Sequence, residues 1–390
     1  MANPSLQIGN SNWAIKEDNL LGYSTAGTRF VPQPITMTRA SAGTRVNSSG
    51  LVETVELLGS EEVTNGDFTT DLSGWDNGGT GTSVWDAGRA KLTTTGTGYI
   101  KPISAITTVV GVQYKFLVTL TGTGNTANVR AGTSSLGVDL LNSGWGVIDG
   151  SHIYYFTAST TTTYIAVGNG SASVSYIDNV SVKEYAANNL ARVDYDGTAS
   201  SLLVEPERTN LVTYSEDFSQ WIASGSMTVG NSSSVASPSN ENSVGIMTGT
   251  TGTASKFARI DVTTTSQTHT YSAFFKYNTQ QFVQFASGGT SEYANFDIQN
   301  GVVGNKLSSV TSTIESFGNG WYRCTLSTSV ASQPSNMAAV LIDSATSARL
   351  SSTSSTNSLY IWGASLEEGS YATSYIPTDG GTVTRVQDQY

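Results

Sequence analysis

The chain has 390 residues, of which 13% are charged and more than a quarter are Ser or Thr. This composition excludes a coiled coil or helical bundle, and the 18 Tyr, 12 Phe and 7 Trp exclude a chain without a hydrophobic core. A net charge of −11 without a basic cluster argues against nucleic-acid binding. No apolar run approaches the roughly 18 residues that cross a bilayer, so membrane insertion is not expected.

The first segment of the chain is residues 1–34, and its first ten residues have no basic region and no apolar stretch, so a secretory signal is not expected. The single cysteine, Cys324, is expected to be a buried core thiol, in keeping with synthesis in a reducing cytoplasm. Five apolar residues of this segment lie among polar ones and are too few for a core, so we expect them to contact another subunit. They are Trp13, Leu20, Leu21, Tyr23 and Phe30.

Two stretches farther along the chain each predict a β-hairpin. In residues 36–53 an Asn-Ser-Ser-Gly turn at 47–50 separates β-prone flanks, and in residues 191–207 an Asp-Gly turn at 196–197 does the same. We interpret the two hairpins as halves of one small β-platform, whose ends are then close together in space. The long stretch between them is therefore predicted to be an inserted module.

An internal repeat divides the rest of the chain. The sequence EVTNGDFTTDLSGW ends at Trp75, NLVTYSEDFSQW ends at Trp221, and each block closes on a Tyr-Ile strand with acidic residues. Short alternating strands between Gly- and Asn-rich turns predict an all-β fold with two β-sandwich modules. The predicted organisation is 1–57 for the N-terminal segment and first half of the platform, 58–186 for the inserted sandwich, 187–207 for the second half of the platform, and 208–390 for the second sandwich with a C-terminal tail.

The sequence offers little that would support catalysis. The two histidines, His152 and His269, lie in different modules, and no nucleophile elbow, zinc spacing or phosphate loop is present. Adjacent side chains of a strand point to opposite faces, so the carboxylate pairs at 61–62 and 367–368 rarely converge as a glycosidase requires. We predict a protein without catalytic residues.

Several motifs resemble segments of tailed-bacteriophage virion proteins of the fibre or decoration type. They are TRASAGTRVNSSGLVE from Thr38, ARVDYDG from Ala191, SLLVEPERTNLVTYSEDFSQW from Ser201, and the later pair NGWYRCTLS and YIWGASLEEGSYATSYIPT. The opening NWAIKEDNLLGY is similar to the N-terminal segment of such proteins. The inserted module, with TNGDFTTDLSGW and YIDNVSVKEY, resembles carbohydrate-binding jelly rolls. The resemblance implies that both sandwiches are jelly rolls, the second of them concanavalin-like.

Sugar recognition in such modules implies exposed aromatic faces. Trp75 and Trp221 hold equivalent places in the repeat and are expected to be core anchors. Trp85, Trp145 and Tyr293 are not repeated and are candidates for stacking on a sugar ring. The alternative for each of these three is partial packing in the core.

The resemblance also implies a structural calcium ion, since jelly-roll modules of this type often hold one near the first and last strands. Candidate ligands are Asp67 and Asp178, with Asn65 and Asn179 nearby. The alternative is that Asp67 caps a turn and Asp178 faces water. No other cofactor is expected.

The leading hypothesis is a non-enzymatic protein of the virion surface, made in the host cytoplasm. Its N-terminal segment would bind other virion proteins, its jelly rolls would adhere to host cell-surface glycans, and it would form a homo-oligomer, with a trimer implied by resemblance to phage fibres. A capsid cement or decoration protein without a glycan ligand is the second hypothesis, and a glycan depolymerase is the third.

Overall fold

The computed structural model describes the backbone of residues 5–6, 12–16, 19–25, 29–197, 199–241 and 243–390, and side chains from residue 37 onward in these ranges. The N-terminal strands are β1 (Ser5–Leu6), β2 (Asn12–Lys16), β3 (Asn19–Thr25) and β4 (Arg29–Thr36), and β2, β3 and β4 form one antiparallel sheet. The side chains of the five predicted anchoring residues lie outside the described residues, and their role stays a prediction. These are Trp13, Leu20, Leu21, Tyr23 and Phe30.

The chain forms two compact units, one from residues 56–186 and one from residues 1–55 with 187–390. The sequence placed the insertion at 58–186. The insertion begins and ends in the same antiparallel pair of strands, where Leu57 is the partner of Ala186. An inserted unit whose two ends adjoin can enter a host fold without distorting it.

The strands of the inserted unit form two sheets that share one bent strand. Residues 90–94 of that strand, β9, pair with β16, whereas residues 98–100 pair with β15, so β9 crosses from one sheet to the other. The strands are β7 (Leu57–Glu61), β8 (Trp75–Trp85), β9 (Ala90–Pro102), β10 (Ile106–Thr107), β11 (Gln113–Thr121), β12 (Ala127–Gly132), β13 (Leu141–Asn142), β14 (Gly150–Thr157), β15 (Thr162–Asn169) and β16 (Ser173–Ala186); β5 (Thr44–Val46) and β6 (Val52–Thr54) precede them.

The second sandwich follows three short strands and a single 3-10 turn at Phe218–Gln220. Its two six-stranded sheets are β20-β23-β30-β25-β26-β27 and β21-β22-β31-β24-β29-β28. The remaining strands are β17 (Arg192–Asp196), β18 (Ala199–Leu203), β19 (Arg208–Asn210), β20 (Ile222–Ser224), β21 (Met227–Ser232), β22 (Val244–Gly249), β23 (Lys256–Asp261), β24 (His269–Tyr277), β25 (Phe282–Ala286), β26 (Tyr293–Asp297), β27 (Val302–Lys306), β28 (Val310–Ser316), β29 (Trp321–Thr328), β30 (Asn336–Ile342), β31 (Ser358–Glu368) and β32 (Val383–Arg385).

Strand order shows that both sandwiches are jelly rolls. In the inserted unit the sheets contain β9-β16-β11-β14 and β10-β15-β12-β13, and in the second they contain β22-β31-β24-β29 and β23-β30-β25-β26. In each unit, one sheet pairs the first of these eight strands with the eighth and places the third beside the eighth, and the other sheet holds the remaining four strands. This strand order is the double Greek key of a jelly roll. The all-β fold class is therefore confirmed. The repeat is confirmed as well, because the aromatic strands at 114–120 and 271–277 are β11 and β24, which occupy the same position in the two strand orders.

The repeat extends to the packing of its tryptophans. Trp75 is 8% exposed and packs edge-on against Phe68, with 5.0 Å between ring centroids. Trp221 is 4% exposed and lies 5.1 Å from Phe218. Each indole N–H donates to a backbone carbonyl at the start of its own block. Both residues are core anchors, as the repeat predicts.

The platform consists of the hairpin β5–β6, the hairpin β17–β18 and the pair β19–β32. Both hairpins form where the turn motifs predict them. The pair β19–β32 was not predicted, because the sequence assigned its second strand, at 383–385, to a C-terminal tail. Val52 of β6 and Tyr375 belong to one buried cluster with Phe274, Trp321 and Trp362 of the second sandwich.

Buried charges hold the platform together. Arg39 donates to Asp388 at 2.9 Å, and Asp388 also accepts from Arg192. Glu205 accepts from Arg192 at 2.8 Å and from Arg385 at 2.5 Å. Burial opposes ionisation of Glu205, but Arg192 and Arg385 outweigh it and hold the pKa of this carboxyl below its usual value. Chain segments far apart in sequence thus meet in one ion network.

Candidate functional site

The structure separates the three aromatic candidates. Trp85 is 45% exposed at the end of β8, where it pairs with Ala90, and its indole N–H donates to the carbonyl of Phe68 at 2.7 Å. Trp145 is 49% exposed in the loop between β13 and β14. Tyr293 belongs to the second jelly roll and is partly buried. Trp85 and Trp145, both in the inserted unit, lie toward opposite ends of β9 and do not share a site.

Trp145 lies over other rings and over a glycine. A Cβ atom on Gly170 would fall 2.9 Å from the six-membered ring of its indole, so the ring lies against the backbone there. The ring of Tyr99 is 6.0 Å away, centroid to centroid, and tilted by 41°. Tyr99 is almost fully buried, because it packs in turn against Gly168. Because Gly170 and Tyr99 support the indole on one side only, part of its surface stays open to solvent.

Buried Asn128 fixes the loop that carries Trp145. Its amide donates to the carbonyl of Gly144 at 2.8 Å and to the side chain of Asn142 at 2.9 Å. The Ser143 hydroxyl accepts from a backbone N–H of β12 at 2.8 Å, and the N–H of Gly146 donates to the same strand at 3.1 Å. Hydrogen bonds on both sides of the tryptophan make its position part of the sheet framework.

A shallow depression of about 240 Å³ adjoins the indole. It is lined by Trp145 together with Thr97, Asn125, Thr126, Gly146 and Gly170. The Thr126 hydroxyl donates to Asn169 at 2.6 Å, which orients this wall. The Asn125 side chain has no hydrogen-bond partner among the described residues. An exposed aromatic face beside amide and hydroxyl groups is suited to a ligand with an apolar face and a polar rim.

Arg130 completes the site, and sequence reasoning missed it. Its guanidinium carbon lies 4.3 Å from the ring centroid of Tyr99 and 5.7 Å from that of Trp145. Nε donates to Asn128 at 2.7 Å and Nη1 to the carbonyl of Leu136 at 3.2 Å. Alternation in β12 places Asn128 and Arg130 on the outer face of the sheet, since the residue between them is in the core. The sequence shows this alternation, but it does not show that the ring of Tyr99 lies beneath the guanidinium.

The corresponding outer face of the second jelly roll is closed. Residues 343–352 cross it, and two fully buried amides hold them there. Gln284 donates to the carbonyl of Ala348 at 3.1 Å, and Asn295 donates to that of Ser347 at 2.7 Å. Tyr293 packs at the edge of the same face. Its candidacy as a sugar-stacking residue stays a prediction, with far less ring area available than at Trp145.

The two carboxylates of the pair 367–368 face different surroundings and do not converge as those of a glycosidase do. Glu367 is buried and accepts from the Thr373 hydroxyl at 2.6 Å, whereas Glu368 points away and accepts from Thr265 at 2.6 Å. Cys324 is a core residue, as predicted, and burial raises the pKa of its thiol well above the usual value.

The two candidate calcium ligands lie on neighbouring segments. The N–H of Val180 donates to the carbonyl of Gly66 at 2.8 Å, which brings Asp67 and Asp178 into adjacent chain segments. The amide of Asn65 is engaged with Asp71 and Ser73, and the described residues contain no group of three or more acidic, His or Cys side chains. Calcium prefers six to eight oxygen ligands. Two carboxylates alone do not fit such a site, and calcium stays a prediction.

Two solved structures are similar to this chain at less than 10% sequence identity. The N-terminal CBM22-1–CBM22-2 tandem domain of Paenibacillus barcinonensis Xyn10C is similar over 80% of this chain and 98% of that chain, with 9% identity and a TM-score of 0.26. The M60 catalytic domain of Clostridium perfringens ZmpB with its CBM51-1 and CBM51-2 domains is similar over 85% and 43%, with 7% identity and a TM-score of 0.23. No family model and no curated protein matches the chain.

In the described residues no helix is long and apolar enough to span a membrane.

Proposed function

We propose that the inserted jelly roll is a non-catalytic glycan-binding module and that a sugar ring stacks on the open face of Trp145. The observation that carries this proposal is a half-exposed indole that is backed by Tyr99 and Gly170 and borders a shallow depression in which Asn125 and Thr126 also lie. An exposed ring that its neighbours already hold in place loses little side-chain freedom when a ligand binds, which favours binding.

The expected binding is weak per site. A single stacked ring with two or three hydrogen bonds corresponds to a dissociation constant on the order of 0.1–1 mM. Display of several copies on one particle raises the apparent affinity by about 10²–10⁴-fold when the copies engage together. Weak, multivalent contact is therefore the mode of adhesion that this site supports.

A glycan array tests the proposal, with wild type compared with Trp145→Ala and Trp85→Ala. The second variant is a matched control, because Trp85 is exposed to nearly the same extent but does not line this depression. We expect Trp145→Ala to lose the array signal and Trp85→Ala to keep it. Thermal melting shows whether each variant is folded.

Two results would contradict the proposal. Loss of signal in Trp85→Ala alone would move the site to the other end of β9. No signal from folded wild-type protein on any bacterial surface glycan would favour a cement or decoration protein without a glycan ligand.

We further propose that the whole chain is a virion surface protein, a head or tail fibre or a decoration protein. Support comes from the phage-type motifs, which lie in the platform and the second jelly roll. The N-terminal segment would bind other virion proteins and the chain would assemble as a homo-oligomer. Immunogold labelling of purified particles with an antibody to the inserted module tests this placement, and labelling confined to lysate would contradict it.

A further inference from the structure

We propose that the sugar bound at Trp145 carries a carboxylate, and that Arg130 is the residue that binds it. This inference rests on the proposed function and names the class of its ligand, an acidic sugar such as a hexuronic acid.

The guanidinium of Arg130 is oriented but not neutralised. Two of its five N–H groups are engaged, with Asn128 and with the carbonyl of Leu136. Nη2 is accessible and has no partner in the described part of the chain. No carboxylate there lies within ion-pair distance of Arg130, although three lysines of the same unit have one. In an acidic protein, a fixed guanidinium without a counter-ion favours an anionic ligand.

The acidic residues nearest in the sequence are already engaged elsewhere. Asp139 accepts from the N–H of Thr133 at 3.0 Å. Asp149 accepts from the N–H groups of Gly122 and Thr123 at 2.9 and 2.8 Å. Because both carboxylates serve the backbone, neither competes with a ligand for Arg130.

Position and plane suit a carboxylate. The guanidinium lies over the ring of Tyr99, its Nε and Nη1 hydrogen bonds hold its orientation, and it lies near the same indole that would hold the sugar. A planar fork presents parallel N–H groups to the two oxygens of a carboxylate, and such charge-assisted pairs are stronger than neutral hydrogen bonds. A neutral sugar in the same place would displace water from the guanidinium without supplying a compensating negative charge, and this desolvation would lower its affinity.

The test uses the full chain and paired probes. Oligogalacturonate, oligoalginate, hyaluronan oligosaccharide and sialyllactose are each titrated beside their methyl esters, which keep the ring and mask the charge. Wild type is compared with Arg130→Gln, Arg130→Lys and Trp145→Ala. Arg89→Gln is the matched control, because Arg89 also stacks at 4.3 Å on a tyrosine, Tyr176, but in the other sheet.

We expect at least one acid form to bind about tenfold or more tightly than its ester. Arg130→Gln should reduce the affinity for the acid by about 10–100-fold, to the level of the ester, and leave the ester within about twofold. Arg130→Lys should keep part of the preference, since it retains the charge and loses the fork. Arg89→Gln should change neither.

The outcomes separate the two proposals. If no acid form of the panel exceeds its ester, or if Arg130→Gln leaves the preference intact, the carboxylate assignment is wrong while stacking at Trp145 stands. If a sulfated galactose oligomer binds through Arg130 and no carboxylated probe does, the carboxylate assignment is also wrong. If Trp145→Ala binds every ligand as wild type does, the proposed function itself fails.

Discussion

Gly170 determines whether the indole of Trp145 can lie flat, because any side chain there would enter the ring. We predict that Gly170→Val displaces the indole and weakens glycan binding about tenfold, or 1.4 kcal/mol. Gly230→Val is the control, since a Cβ at that position meets nothing within 4 Å. Isothermal titration measures both. Wild-type affinity in a folded Gly170→Val protein would show that the ring is not the contact surface.

Residue-scale features of the site were only partly predictable. Trp145 stood out because it lies outside the repeat and in a Gly-rich loop. Asn128 and Arg130 were not predicted, because strand alternation shows which face of the sheet a side chain is on but not which loop lies over that face. Tyr99 was not predicted either, because its place on the shared strand β9 depends on where that strand bends between the sheets.

Among the structural elements, the repeated tryptophan turn anchors each sandwich separately. We predict that Trp75→Ala destabilises the inserted unit, and Trp221→Ala the second jelly roll, by about 3–5 kcal/mol each. Because the chain forms two compact units, each variant should shift one calorimetric transition and leave the other in place. A common shift of both transitions would contradict independent units.

The platform depends on its buried ion network. We predict that Asp388→Ala destabilises the unit containing the platform by about 3–5 kcal/mol, because it leaves Arg39 buried without its carboxylate partner and removes one of the two carboxylate partners of Arg192. Asp379→Asn, an exposed site in the same C-terminal stretch, should be neutral. Urea denaturation followed by tryptophan fluorescence gives both values. Equal stability of the two variants would mean that the network contributes nothing.

The network also predicts a pH dependence. The pKa of Glu205 is lower in the folded protein than its usual value of 4.5, so its contribution to stability is present above that pH and is lost as pH falls through the folded pKa. Glu205→Gln removes this contribution. The stability difference between wild type and Glu205→Gln should therefore shrink as the pH falls below about 4.5. A difference that stays constant would contradict the assigned shift.

At the scale of elements, turn motifs and alternation predicted the hairpins of the platform and the strands of both sandwiches. The pair β19–β32 escaped prediction because it joins residues 208–210 to 383–385, and no local pattern reports so distant a pairing. The ion network could not be predicted for the same reason, because Arg39, Arg192 and Asp388 are far apart in the sequence and no local motif links them.

For the molecule as a whole, the insertion should be separable. Leu57 and Ala186 are paired across one ladder, so the chain enters and leaves the inserted unit at adjacent points. We predict that replacing residues 56–186 by a short Gly-Ser linker leaves the other unit folded and abolishes glycan binding. Circular dichroism and the glycan array give the two readouts. Glycan binding by the deletion variant would place the site in the second jelly roll.

The most direct test of glycan recognition at Trp145 is a titration of the best array glycan into ¹⁵N-labelled protein, with the seven tryptophan indole signals followed by NMR. The structure predicts that the indole N–H of Trp145 and the backbone amides of Asn125 and Thr126 shift with a common affinity, while the indoles of Trp75 and Trp221 stay in place. Shifts centred on Trp85 or on the second jelly roll, with Trp145 unchanged, would contradict it.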